Sequence, residues 1–188
     1  MNEASDPAGK AGDLILEVCV GSLDDAVAAR DAGADRLELC GALELGGLTP
    51  SCGLIEQVCG EVDLPTVVML RPRAGGFCYS EGEFDTMLRD AELALARGAA
   101  GVVCGMLDAR SEICTQQVSR VVELAGHRDV VFHRAFDMTR DVLASLDVLI
   151  NLGVQRVLTT GGPPSAWLGA QTLAALVGRA NGRIEVMP

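Results

Sequence analysis

The chain has 188 residues, 49% hydrophobic and 22% charged, which are the proportions of a folded domain and exclude a disordered, collagen-like or low-complexity chain. Fifteen Lys and Arg against 26 Asp and Glu leave a formal charge of −11 with no basic cluster, so nucleic acid is excluded as a partner. No apolar run reaches the roughly 18 residues of a bilayer span, and no membrane association is expected.

Residues 1–13 are polar and small, without the apolar stretch of a secretory signal, and read as a disordered leader before a domain over 14–188. The seven cysteines contain no CxxC pair and are odd in number, which argues against a disulfide framework and for reduced thiols in the cytoplasm.

Short apolar runs then alternate with helical stretches. Strands are predicted at Leu14–Val20, Arg36–Cys40, Thr66–Arg71, Gly101–Gly105, Asp129–Ala135, Arg156–Thr160 and Arg183–Met187. Ser22 opens a helix that Gly33 closes, and Ser80 with Glu83 forms a capping box before another that Gly98 stops. Ser51, Thr115 and Ser165 are further predicted N-caps, and Gly126, Gly153 and Gly182 further stops. Trp167 falls early in the last of these helices and reads as a packing residue.

Repeated βα units give a doubly wound sheet or a barrel. Parity separates the two. Leu16, Val18 and Val20 alternate with Glu17 and Cys19; Leu37 and Leu39 alternate with Glu38 and Cys40; Val68 and Leu70 alternate with Met69 and Arg71. Side chains alternate across a strand, so the charges share one face while the apolar set packs under helices. A sheet covered on both faces would show continuous apolar runs instead. The expectation is a TIM (β/α)8-type barrel, truncated after about the seventh strand because such barrels run to about 250 residues. An open barrel has two strand edges, so the chain reads as a fragment or as a homo-oligomer closed by another copy.

Barrel sites lie at the C-terminal ends of the strands. There the sequence places Glu17, Glu38, Arg71, Arg73, His133, Asp137 and Thr160. One reading is an enzyme site for a small anionic ligand: Arg71, Arg73 and Thr160 bind the anion, and His133, Glu17, Glu38 and Asp137 move protons. The other is a structural ion-pair network, in which Arg71 holds Glu17 or Glu38. Cys19 and Cys40 lie on the same face of neighbouring strands, about 4.8 Å apart in a parallel pair, and read as two soft Cu(I) ligands or as two small core residues. The remaining cysteines read as core fillers, His127 as a loop residue, and Gly46–Ser51 and Gly161–Ser165 as turns leading into helices.

Several ordered phrases carry a resemblance: LEVCVGS at 16–22, GADRLELC at 33–40, GGLTPS at 46–51, the RPR of 71–73, GGFCYSEGEF at 75–84, FHRAFD at 132–137 and RVLTTG at 156–161. With these the chain resembles the copper homeostasis protein CutC family from Leu14 to Pro188. The resemblance implies a TIM barrel, a cytosolic protein and copper binding, with Cys19 and Cys40 in the positions of the family's Cu(I) ligands. It also implies a continuation past Pro188 into an eighth unit.

Overall fold

The computed structural model describes residues 14–188; the predicted leader lies outside them. Seven parallel strands form one sheet in the order β1 to β7, each followed by its neighbour in sequence. They are β1 (Glu17–Val20), β2 (Arg36–Leu39), β3 (Thr66–Met69), β4 (Gly101–Cys104), β5 (Asp129–Phe132), β6 (Arg156–Leu158) and β7 (Glu185–Met187). Between them run α1 (Leu23–Asp31), α2 (Cys52–Glu61), α3 (Glu81–Ala96), α4 (Thr115–Ala125), α5 (Val142–Leu152) and α6 (Ala170–Ala180). All seven predicted strands exist, but each is shorter than its apolar run. Pairing ends where the chain turns into the connecting loop, and at His133 the backbone enters a 3-10 turn over Arg134–Met138.

The parity argument holds. Outward residues such as Val68, Leu70, Val102 and Phe132 pack against helix residues such as Leu146 in two clusters between sheet and helices. A third cluster fills the concave side with Cys40, Val67, Met69, Val103, Val131 and Met187. The sheet curls far enough for Arg36 of β2 to pair with Glu185 of β7. Among the described residues β1 and β7 have no partner on their outer edges. The groove between those edges, about 530 Å³, is lined by Leu14, Ile15, Leu16, Val186 and Met187 among others. Leu14 is 92% exposed there, an apolar face of the kind an open barrel leaves uncovered.

Helix ends follow the cap chemistry in part. Ser22, Ser51 and Ser80 each accept a backbone N–H of the first turn, and the Ser80–Glu83 capping box is complete. Two predicted caps are corrected. Thr115 is the first residue of α4, whose cap is Cys114 without a side-chain bond. Ser165 caps a turn before α6, which begins only at Ala170. Trp167 therefore precedes the helix and is 88% exposed, so it is not a packing residue. Asp141 caps α5 with two bonds and is missed by the sequence reading, although Val142, Leu143, Leu146 and Leu149 follow it at helical spacing.

Candidate functional site

At the first residues of the strands the lumen holds a charged layer. Arg36 meets Glu17 at 2.6 Å and also pairs with Glu185, while Arg156 meets Asp129 at 2.8 Å. This corrects the placement of Glu17: it opens β1, so it stands at the N-terminal end of the barrel, away from the mouth. Its charge is matched by an arginine of the neighbouring strand.

At the other end, a cavity of about 280 Å³ is lined by Cys19, Glu38, Cys40, Leu43, Gly46, Gly47, Met69, Arg71, Phe77, His133, Arg134 and Leu158. Five predicted residues meet in it: Cys19, Glu38, Cys40, Arg71 and His133. Register explains the first three. Cys19 sits opposite Glu38 in the β1–β2 ladder, and Cys40 follows Glu38 by two residues on the same face. Both thiols donate to one oxygen, Oε1 of Glu38, from 3.3 Å for Cys19 and 3.4 Å for Cys40. Burial and the Glu38 carboxylate together push the Cys19 thiol up to about 12, and push Cys40 up as well. Burial also raises Glu38, against the two thiol hydrogen bonds that lower it. Cys19 nonetheless keeps an exposed edge, because β1 is an outer strand.

Gly47 leaves room beside the buried Cys40 sulfur. It has φ +82°, and a Cβ built there would lie 3.0 Å from the Cys40 sulfur and 3.6 Å from the Met69 methyl. Among the described residues no group of three or more His, Cys, Asp and Glu side chains is arranged as a metal site.

Arg71 does not hold Glu17 or Glu38. Its Nη1 donates to the carbonyls of Leu45, Gly46 and Gly47, its Nη2 to the carbonyl of Gly75, and its guanidinium lies 5.2 Å from the centre of the Phe77 ring. The glycine-rich loops fold around the arginine and satisfy it with neutral carbonyls. A loop backbone cannot be read as a guanidinium partner from sequence.

His133 is buried, and its ring centre is 5.0 Å from that of Phe77. Its Nδ1 accepts the Ala135 backbone N–H at 3.1 Å. Nδ1 therefore carries the lone pair, and in the neutral ring the proton sits on Nε2. Burial and the nearby Arg71 charge lower its pKa to about 4. At neutral pH His133 is a neutral hydrogen-bond donor.

The other predicted residues lie outside the cavity lining. Arg73 pairs with Glu83 and stacks 5.1 Å from the Tyr79 ring centre. Asp137 ties the β5 and β6 loops together, accepting from Thr159, Thr160, Gly162 and Arg134. Burial alone would raise the Asp137 carboxyl, but bonds from Thr159, Thr160 and Arg134 outweigh it and hold it low. Thr160 is one of those partners and also meets Arg134 at 3.1 Å. Sequence reading missed Phe77, Met69 and Arg134 as lining residues. Met69 had been placed on the inward parity, and that was the signal available.

An open barrel of parallel βα units, with a cavity at the C-terminal strand ends where a few charged side chains meet an apolar lining, defines the class of protein. The CutC family model matches residues 14–188, and the chain belongs to that family. It is 49% identical over 173 residues to a family protein CutC of Treponema denticola, covering 92% of this chain and 70% of that protein. It is 44% identical to the human copper homeostasis protein cutC homolog, covering 97% of this chain and 68% of that one. A solved structure from Streptococcus agalactiae, described as a copper homeostasis protein CutC, superimposes with TM-score 0.86 at 33% identity, covering 92% of this chain and 86% of that one. Among the described residues no helix is long and apolar enough to cross a membrane.

Proposed function

We propose that this chain serves copper homeostasis in the cytosol by binding Cu(I) through the thiolates of Cys19 and Cys40. One observation carries the reading: both thiols converge on a single buried carboxylate oxygen of Glu38 inside the mouth cavity. A soft monovalent ion prefers sulfur, and the cavity offers two thiols with the Met69 thioether beside Cys40.

Strand geometry argues for a metal and against a disulfide. Cys19 is in register with Glu38, so Cys40 lies one strand across and two residues along. At ~4.8 Å between strands and ~3.3 Å per residue, the Cα atoms are about 8 Å apart. That exceeds the ~6.8 Å upper range of disulfides, so reduced thiols persist for a ligand.

Both thiols are protonated at neutral pH, so metal entry must displace two protons, and Glu38 is placed to relay them one at a time to solvent. Affinity should rise with pH, by up to about 100-fold per unit if both protons leave. Competition against a Cu(I) chelator across pH tests this on the wild type and on Cys19→Ser/Cys40→Ser. The double variant should lose binding; equal affinity in both proteins overturns the reading.

A further inference from the structure

Three buried polar atoms with no hydrogen-bond partner belong to residues of the same cavity: Glu38 Oε2, Arg71 Nε and His133 Nε2. Two are donors and one is an acceptor. Arg71 contributes an unmatched charge as well, because its neighbours are neutral oxygens, four carbonyls and the Tyr79 hydroxyl, and none is a carboxylate. Elsewhere in the lumen buried arginines are matched, Arg36 by Glu17 and Glu185, Arg156 by Asp129. A buried cation without a counter-ion is costly, and unpaired buried donors add to the cost. Phe77 lies against both the Arg71 guanidinium and the His133 ring, and both side chains line the same cavity.

We propose that this cavity binds a small organic carboxylate that bears a hydrogen-bond donor on its α-carbon. The carboxylate accepts from Arg71 Nε and His133 Nε2 and supplies the missing counter-charge. The α-donor, a hydroxyl or an amine, bonds to Glu38 Oε2, the oxygen that the two thiols leave free. Arg134 stands at the exposed rim of the same cavity, where it pairs with Asp137. A volume of about 280 Å³ equals about nine water-sized groups at ~30 Å³ each, which has room for a small hydroxy or amino acid with some water beside it. His133 serves here as a neutral donor to the carboxylate, because its Nδ1 is already occupied by the Ala135 N–H.

This site goes beyond the copper reading; it shares the cavity and Glu38 with it, but no sulfur atom contributes. The test uses metal-free protein with four three-carbon probes: lactate, alanine, propionate and lactamide. Binding is read by calorimetry and by the imidazole ¹⁵N resonances. The chain has two histidines, so exposed His127 is an internal control.

Lactate or alanine should bind and shift the His133 Nε2 signal while His127 stays still, and whichever binds tighter identifies the α-donor. Propionate should bind roughly tenfold more weakly for want of the bond to Glu38, and lactamide should not bind measurably for want of charge. Glu38→Gln should reduce the preference over propionate to about twofold or less. Cys19→Ser/Cys40→Ser should retain lactate or alanine binding, so a failed copper titration and a failed anion titration are told apart. Arg71 is left unaltered because it also holds four loop carbonyls. Failure of both lactate and alanine to move His133 overturns the proposal, as does lactamide binding as tightly as they do. An undiminished preference in Glu38→Gln removes Glu38 from the site and overturns the α-donor assignment.

Discussion

Acidification should expose the burial of His133 as a measurable loss of stability. Its folded pKa is about 4 against an ordinary value of 6.5. Between those values the unfolded chain binds a proton at this position and the folded protein does not, so stability falls as pH falls. The shift of about 2.5 units, at 1.36 kcal/mol each, corresponds to roughly 3 kcal/mol, present in full above pH 6.5 and lost progressively down to about pH 4.

Glu38 acts in the opposite sense. Its raised pKa makes the folded state take up a proton earlier than the unfolded chain, which favours folding on the acid side. Comparing the wild type with His133→Asn cancels that contribution to first order. Asparagine keeps an oxygen near the position of Nδ1 to accept the Ala135 N–H, but has nothing to titrate. Urea unfolding of both proteins from pH 7.5 to pH 4.5 should show the wild type losing about 2–3 kcal/mol more than the variant. Parallel pH profiles would refute a buried, neutral His133.

Arg71→Met should destabilise by roughly 2–4 kcal/mol, because four loop carbonyls lose a charged donor; urea unfolding within 0.5 kcal/mol of wild type would mean that water replaces it. Glu38→Gln removes the negative charge beside Cys19 while leaving it buried, so the Cys19 pKa should fall from about 12. The pH dependence of iodoacetamide labelling, resolved by peptide mass spectrometry, should move to lower pH, and an unmoved profile would show that burial acts alone. Gly105→Ala would place a Cβ 2.2 Å from Cε1 of His133 and 2.8 Å from the Ala135 Cβ, so it should cost about 2–3 kcal/mol and displace the imidazole resonances. Unchanged unfolding and an unchanged spectrum would show that the ring moves aside freely.

By itself the sequence determined the class of fold. Two-residue alternation on three strands told a lumen from a doubly covered sheet, and serine and glycine at helix ends marked most boundaries, because both signals are local and set by covalent geometry. The same alternation put Glu38, Cys19 and Cys40 on one face, where the β1–β2 register joins them through one carboxylate. Depth along the barrel was decided only by the folded structure. Glu17 and Cys19 share parity but stand two residues apart, and that separation puts the first against Arg36 at the floor and the second in the mouth. Charge partners were likewise beyond the sequence. Arg71 faces loop carbonyls, which carry no side-chain identity, and Asp137 faces threonine hydroxyls of the next strand's exit, more than twenty residues away in the chain. His133 became a neutral donor through burial, the Arg71 charge and the Ala135 N–H, which meet only when strand, loop and turn have folded together.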